Sequence, residues 1–311
     1  MLQCMLQNLL KGKMYMPLAL IVHGGAGNIP PERHQIARDG CAAAAVAGWQ
    51  ILRAGGSALD AVTAAVVALE DNPAFNAGTG SALTRDGIAE LDAGIMDGAT
   101  LAVGAVAGVR RIKNPILLAR RMLARPEVLL IGDGAEQFAT DQGISLCDPD
   151  ELITAEVRER WRANLTTDGG VNDPEGKHGT VGAVALDAAG HVVAAASTGG
   201  MMNKPAGRVG DTPIAGAGFY AEDGAGGVSC TGRGEDFIRL AIARRVVEML
   251  ARGDAAQPAA DACIALLGER VGGTGGLIVV DAAGRVGFAR NTFAMSYAFM
   301  AGGMDAPQMG I

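Results

Sequence analysis

Two segments of this chain share a pattern that predicts β-hairpins. Residues 180–198 read "TVGAVALDAAGHVVAAAST", and residues 275–291 read "GGLIVVDAAGRVGFARN". In both, two apolar runs of strand-forming residues flank the same sequence, "DAAG", and aspartate and glycine are typical of tight turns. Because the strands of a hairpin run antiparallel, these segments favour an antiparallel sheet over a doubly wound parallel sheet.

Helical segments are grouped apart from these hairpins. Ser57 and Asp60 are suited to cap one of the helices, and Pro73 is suited to end it. We interpret residues 127–132 as a short buried strand and residues 234–253 as one continuous helix. Grouped helices and hairpins are typical of an α+β fold, and two sheets stacked between helix layers would form an αββα four-layer sandwich. The remaining predicted helices are residues 31–56, 57–73, 114–125, 133–143 and 259–270, and the remaining predicted strands are residues 17–22, 100–109, 214–221 and 226–230.

Composition limits the classes of partner. The chain has 311 residues, 49% of them hydrophobic and only 4% aromatic, with a formal net charge of −7. An acidic chain with few aromatic residues is unsuited to nucleic acid, so we expect no such partner. No apolar run reaches the ~20 residues of a membrane-spanning helix, so we expect no membrane partner either. Five cysteines without a C-x-x-C pair predict reduced thiols in a cytoplasmic protein.

The N-terminus precedes the first predicted strand. Residues 1–15 carry two lysines ahead of an apolar stretch, which weakly imitates a signal peptide. The apolar stretch is short, and it leads into "HGGAG" without a small-x-small cleavage site. We therefore interpret residues 1–15 either as a disordered extension or as the result of a start codon placed too early, with Met16 as the true start.

The strand that begins at Thr180 follows a segment without regular pattern. From about residue 156 to residue 179 the sequence "EVRERWRANLTTDGGVNDPEGKHG" begins charged and helical in character, then becomes rich in glycine, asparagine and aspartate, as linkers are. If the bond between Gly179 and Thr180 breaks, Thr180 carries a free α-amine beside its own hydroxyl. An α-amine has a pKa of about 7.7–8.0, so it can act as the base that activates this hydroxyl. The alternative is an ordinary strand threonine, since threonine is a good strand former.

Other candidate sites have simpler explanations. The "HGGAG" segment lacks the pattern of a phosphate-binding loop, there is no G-x-S-x-G sequence, and the four histidines show no zinc-ligand spacing. Asp92 and Asp97 could form a carboxylate pair, but acids beside glycines are more typical of turns. Cys230 ends an apolar run, which predicts a buried and inert thiol.

Several motifs resemble the plant-type asparaginase/isoaspartyl peptidase family of N-terminal-nucleophile hydrolases. They are "HGGAG", "NPAFNAGTGSALTRDG", "ELDAGIMDG", "AVAGV", "HGTVGAVALD", "STGGMMNKPAGRVGDTPIAGAG" and "SCTGRGE". The resemblance covers about residue 16 to the C-terminus and implies the αββα fold. It also implies self-cleavage into an α subunit (16–179) and a β subunit (180–311) that form one structural domain, and a mature (αβ)₂ homodimer.

Carried over residue by residue, the resemblance gives roles to four side chains. Thr180 would be the nucleophile and, after cleavage at the Gly179–Thr180 bond, its own base. Thr198 would hydrogen-bond the nucleophile. Arg208 and Asp211 would hold the α-carboxylate and the α-amine of the substrate, because a guanidinium group matches a carboxylate and a carboxylate matches an ammonium group. Without the resemblance, Thr198 would cap a turn and Arg208 with Asp211 would form an ordinary surface pair.

The resemblance also implies roles for residues around the catalytic threonine. Thr231 and Gly232 would form an oxyanion hole from a hydroxyl and a backbone N–H. Asn76 would support the active site. Arg233 departs from the smaller residue that family members often carry, and it lies either near the leaving group, as a substrate-binding residue, or toward solvent. Other implied substrate-binding residues are Val209, Gly210 and Gly234. The implied structural sodium site consists of the backbone carbonyls of Leu69, Glu70, Asn72, Phe75, Ala77 and Thr79.

The resemblance therefore implies a self-processing amidohydrolase. It would cleave isoaspartyl dipeptides and L-asparagine through a β-aspartyl ester on Thr180, without an organic cofactor. Two alternatives remain open. One is a glycosylasparaginase-like amidase, and the other is a small-ligand binding protein of the same fold that never matures.

Overall fold

The computed structural model describes residues 17–165 and 179–311, which form a mixed α/β protein. Its strands are β1 (Ala19–Gly27), β2 (Leu91–Asp97), β3 (Val103–Val109), β4 (Leu129–Ile131), β5 (Val181–Leu186), β6 (Val192–Thr198), β7 (Phe219–Glu222), β8 (Gly226–Gly232), β9 (Gly275–Asp281), β10 (Val286–Arg290), β11 (Ala294–Ala301) and β12 (Gln308–Gly310). Its helices are α1 (His34–Arg53), α2 (Ala58–Glu70), α3 (Pro115–Met122), α4 (Gly132–Asp141), α5 (Ala155–Asn164), α6 (Gly234–Leu240), α7 (Ile242–Ala251) and α8 (Ala256–Val271). Short 3₁₀ helices cover Pro31–Arg33 and Pro149–Leu152.

The strands form two sheets. The larger has eight strands in the order β12-β11-β1-β5-β6-β2-β3-β4, and the smaller has four in the order β10-β9-β8-β7. Neighbouring strands are antiparallel throughout, apart from the parallel pair of β3 and β4. The strand that follows Thr180, β5, lies near the middle of the larger sheet between β1 and β6.

Alternating side chains of the central strands fill separate apolar cores. On β1, Leu20 and Val22 pack with the core that includes helices α1 and α2, whereas Ile21 packs with residues of both sheets. On β9, Leu277 packs with helices α7 and α8, whereas Ile278 packs against the larger sheet. Because successive side chains of a strand point to opposite faces, strands that are apolar at every position can contact a helix layer and a second sheet at once.

The two predicted hairpins are confirmed as β5–β6 and β9–β10. In each turn the aspartate of "DAAG" accepts two backbone N–H groups of its own turn, at 2.9 and 3.1 Å for Asp187 and at 3.0 Å twice for Asp281. The second carboxylate oxygen accepts the first N–H of a helix, from Ala58 at 2.9 Å and from Ala256 at 3.2 Å. The repeated turn sequence therefore both closes a hairpin and caps a helix, which joins each sheet to its neighbouring helices.

Three local predictions were wrong. Residues 127–132 do not form a buried strand, because β4 is the edge of the larger sheet and Ile131 is 66% exposed. Residues 234–253 form two helices, because Ala241 adopts a left-handed conformation with φ of 49°. Asp92 does not lie in a turn but in β2, between β6 and β3.

Four further predictions concern the cap of α2, the N-terminal extension, the linker and membrane-spanning helices. Helix α2 begins after Ser57, whose hydroxyl accepts the N–H of Asp60 as predicted. The predicted extension (1–15) and most of the predicted linker lie outside the described residues, and α5 covers the start of that linker. Within the described ranges, no helix combines the length and the apolar character that a membrane crossing requires.

Candidate active site

A small pocket surrounds the predicted cleavage point. Thr180 is buried immediately before β5, and Gly179 is buried beside it. The pocket brings together threonines from two strand ends with the segment that follows β6. Its described lining residues are Gly179, Thr180, Thr198, Gly200, Met201, Arg208, Gly210, Asp211, Thr212 and Gly232. Seven of the predicted site residues thus meet at one place: Gly179, Thr180, Thr198, Arg208, Gly210, Asp211 and Gly232.

The hydroxyl of Thr180 contacts a residue that the motifs did not single out. Its Oγ1 lies 3.2 Å from Oγ1 of Thr212, which is itself buried. Thr198, the predicted partner, lines the same pocket, and its Oγ1 accepts the N–H of Gly200 at 3.0 Å. In the uncleaved chain, Thr198 thus makes the turn-capping contact, and Thr212 holds the hydroxyl of the candidate nucleophile. In the sequence, Thr212 directly follows the predicted site residue Asp211, and this adjacency could have identified it as a site residue.

Arg208 lies in the pocket with its guanidinium group already paired. Nε and Nη2 donate to the two carboxylate oxygens of Glu235, each at 2.9 Å. Glu235 belongs to the first turn of α6 and was not predicted as a site residue. The side chain of Arg208 is only 15% exposed, so it is not an ordinary surface residue. Bidentate pairing fixes the plane of the guanidinium group and leaves its other N–H donors for a second anion.

Asp211 is a buried carboxyl group with an unused acceptor. Its Oδ2 has no hydrogen-bond partner among the described residues. Burial raises the pKa of Asp211 to about 7, while the nearby charge of Arg208 acts in the opposite direction. The backbone of Gly234 packs closely on this carboxylate, since a Cβ there would lie 2.7 Å from Oδ1. A buried polar atom without a partner is costly, so this oxygen is suited to a donor from a ligand.

Gly232 closes another side of the pocket, and Thr231, which precedes it on β8, is not among the described lining residues. Gly232 has φ of 150°, and a Cβ there would lie 2.5 Å from the carbonyl oxygen of Thr274, so only glycine fits. Thr231 is fully buried, and its Oγ1 accepts the N–H of Ala26 at 3.1 Å, which leaves its own proton for another acceptor. Arg233 is different: its side chain is 66% exposed, approaches Asp236 at 3.8 Å, and is absent from the described pocket lining.

Asn76 connects the loop after α2 to the pocket. Its Nδ2 donates to the carbonyl of Gly200 at 2.6 Å, and its Oδ1 accepts the N–H of Ala82 at 2.7 Å. Within the same loop, the carbonyl of Glu70 accepts the N–H of Thr79 at 2.9 Å, which closes the segment that contains the predicted sodium ligands. Backbone carbonyl oxygens are hard donors, the type of ligand that hard cations prefer. Three of the six predicted carbonyls, those of Leu69, Glu70 and Asn72, already accept backbone N–H groups in this loop.

A buried charged cluster lies behind Arg208. Lys204 is almost fully buried, and its Nζ donates to the carbonyl of Glu90 at 2.7 Å. Asp92 accepts the N–H of Gly108 at 2.9 Å, and burial raises its pKa while the charge of Lys204 opposes that shift.

Asp97, in contrast, accepts the N–H of Ala99 in a turn, as predicted. Cys230 is a buried thiol whose pKa burial raises well above its usual range, which agrees with an inert role.

The fold and the pocket fit an enzyme of the hydrolase class. A buried hydroxyl shares this pocket with a cationic group and with a carboxyl group that has an unpaired oxygen, so the pocket combines a candidate nucleophile with groups that match a zwitterionic molecule in charge.

Comparison with known proteins identifies the family. The family model described as asparaginase matches residues 16–310, and the chain belongs to this family. A plant-type L-asparaginase of Thermococcus kodakarensis is 50% identical over 310 residues, covering 94% of this chain and 99% of the relative. One of Pyrococcus horikoshii is 48% identical, covering 94% and 100%. An isoaspartyl peptidase/L-asparaginase of Danio rerio is 46% identical over 281 residues, covering 90% and 91%. The family resemblance expected from the motifs is therefore confirmed.

Proposed function

We propose that the protein is a self-processing amidohydrolase that cleaves isoaspartyl dipeptides and L-asparagine. The observation that carries this proposal is the meeting of Thr180, Arg208 and Asp211 in one buried pocket, where Oδ2 of Asp211 has no partner among the described residues. The guanidinium group matches the α-carboxylate of an aspartyl substrate, and the unpaired carboxylate matches its α-amine. The names of the relatives support the same substrate class.

Self-cleavage comes first in the proposed mechanism. Oγ1 of Thr180 attacks the carbonyl carbon of Gly179, the bond from that carbon to the Thr180 nitrogen breaks, and the hydroxyl proton passes to the nitrogen. Water then hydrolyses the ester, which leaves a carboxylate on Gly179 and restores the Thr180 hydroxyl. The new α-amine can now act as the general base for its own hydroxyl.

Substrate turnover repeats the same chemistry with an external amide. The α-amine of Thr180 takes the hydroxyl proton and delivers it to the leaving nitrogen, while Oγ1 forms an ester with the β-carbonyl of the substrate. The N–H of Gly232 and the hydroxyl of Thr231 would stabilise the developing oxyanion. Water then releases aspartate. Thr198 would move from the N–H of Gly200 to the nucleophile in this stage.

The same proposal extends to architecture and assembly. The contacts between helices and sheets support an αββα four-layer sandwich of the N-terminal-nucleophile type, in which subunits 16–179 and 180–311 form one domain. We expect an (αβ)₂ homodimer in the cytoplasm that works without an organic cofactor. The carbonyls of the loop after α2 would hold a sodium ion whose role is to order Asn76 and its neighbours.

A first experiment separates this proposal from a binding protein that never matures. Purified wild type should give two fragments, with mass spectrometry placing the new N-terminus at Thr180, and Thr180→Ala should remain one inactive chain. Thr140→Ala, at an exposed helix position, is the matched control and should be processed like wild type. A Thr180→Ala protein that is still cut at this bond would refute the mechanism. Activity confined to glycosylated asparagine would favour the glycosylasparaginase alternative.

A further inference from the structure

A second pocket meets the first one at Gly179. Gly179 lines both pockets, and Asn76 forms part of the wall of the second. We propose that, in the cleaved protein, this second pocket binds the leaving residue of an isoaspartyl dipeptide, and that it selects an apolar residue with a free α-carboxylate held by Arg33. The inference rests on the proposed function and adds the substrate preference of that site.

We expect the two pockets to become continuous after cleavage, because Gly179 lines both of them. In the uncleaved chain this residue stands between the pocket of Thr180 and the second pocket, and it is buried there. Cleavage converts it into a free chain end that is no longer bonded to Thr180. A substrate whose aspartyl half occupies the pocket of Arg208 and Asp211 then has one adjoining space for the group on its β-carbonyl.

The chemistry of the second pocket matches an apolar amino acid with a carboxylate. Its walls include Ile29 and Pro30 from the loop after β1, Ile36 from α1 and the buried ring of Phe75. Arg33 is the one charged side chain among the described residues that line this pocket. An apolar wall with a single cation matches the chemistry of an aliphatic side chain beside one carboxylate.

Arg33 has donors left for a ligand. Its Nη1 donates to Glu156 of α5, and its side chain is 26% exposed. A guanidinium group carries five N–H donors, so one contact with Glu156 leaves others for a carboxylate. Arg233, which the motifs placed near the leaving group, is exposed and directed at Asp236. Arg33 is therefore better placed than Arg233 to recognise the second carboxylate of a dipeptide.

The test compares two substrates: a dipeptide with a free α-carboxylate, and the same dipeptide with that carboxylate replaced by an amide. We expect cleaved wild type to hydrolyse β-aspartyl-leucine with a kcat/KM about three- to tenfold higher than β-aspartyl-leucinamide, because only the acid can pair with Arg33. Arg33→Gln should bring this ratio to about one. Glu156→Gln is the matched control, since it removes the ion pair but keeps Arg33, and it should retain the wild-type preference.

Two results would refute the proposal that the second pocket binds the leaving residue. A wild type without preference for the acid would do so, as would an Arg33→Gln variant with an unchanged ratio. Both differ from failure of the proposed function, in which cleaved wild type hydrolyses neither L-asparagine nor β-aspartyl-leucine. Higher kcat/KM for β-aspartyl-leucine than for β-aspartyl-glycine would support the apolar wall, and the reverse order would contradict it.

Discussion

The residue with the most direct contact to the candidate nucleophile is Thr212. In the uncleaved chain its hydroxyl lies 3.2 Å from that of Thr180, whereas the hydroxyls of Thr198 and Thr231 accept backbone N–H groups. Thr180 has no free α-amine before cleavage, so the orientation of its hydroxyl depends on neighbouring side chains. We infer that Thr212 positions Oγ1 of Thr180 for the self-cleavage step.

Replacing Thr212 by valine should slow self-cleavage. Valine has nearly the same shape but no hydroxyl, so the variant loses one hydrogen bond worth about 1 kcal/mol, or about fivefold in rate. A time course of fragment appearance on denaturing gels would measure this rate. Thr212→Ser, which restores the hydroxyl, should return the rate close to wild type. Cleavage of Thr212→Val at the wild-type rate would show that the contact has no positioning role.

At the scale of elements, the junction of α6 and α7 departs most clearly from the sequence pattern. Residues 234–253 have continuous helical composition, yet Ala241 adopts φ of 49° and ends α6. The N–H of Ala241 bonds back to the carbonyl of Ile238, as in other left-handed helix ends. The break lets α6 place Glu235 against Arg208 while α7 packs on the smaller sheet.

Ala241→Gly should therefore stabilise the protein. Glycine adopts positive φ without the steric cost of a Cβ, so we expect a gain of about 0.5–1 kcal/mol in the free energy of unfolding. Ala262→Gly, at an exposed position inside α8, is the matched control and should cost about 1 kcal/mol. Urea denaturation of both variants would measure the difference. Equal losses in the two variants would mean that position 241 behaves as an ordinary helix interior.

At the scale of the whole molecule, His23 and Ser229 connect the two sheets. Nε2 of His23 on β1 lies 3.0 Å from Oγ of Ser229 on β8, and both residues are fully buried. A Cβ on Gly182 would lie 2.6 Å from this ring, so glycine on β5 makes room for it. Burial lowers the pKa of His23 to about 3, so the ring remains neutral in the folded protein at neutral pH.

The contribution of His23 to stability should therefore be lost in acid. His23 takes up a proton in the unfolded chain near pH 6.5 but not in the folded chain until about pH 3. Its contribution is fully present above pH 6.5 and is lost as the pH falls toward 3, by at most about 1.4 kcal/mol per pH unit. Urea denaturation between pH 4 and 7 should show a smaller slope in His23→Gln than in wild type.

His191 is the matched control for that slope. It is half-exposed and pairs with Asp223 at 2.7 Å, which raises its pKa. Its contribution has the opposite sign, since it is present below pH 6.5 and is lost as the pH rises through the raised pKa. His191→Gln should therefore leave the acid slope of His23 in place. Identical acid slopes in wild type and His23→Gln would contradict the assignment to His23.

The sequence alone determined the hairpins, most helices and the family. These features depend on neighbouring residues: alternation of side chains, turn aspartates and helix caps act over a few positions of the chain. The motifs also named Thr180, Arg208 and Asp211, and the structure brings these three together.

Only the tertiary structure decided which groups touch. The burial of Asp92, the exposure of β4, the contact of Thr212 with Thr180 and the pairing of Arg208 with Glu235 all depend on strand order and on the packing of distant segments. Arg33 and Gly179 are remote in sequence, yet they line one pocket. A local pattern cannot predict such contacts, because each is set by the register of strands and helices that pack from far along the chain.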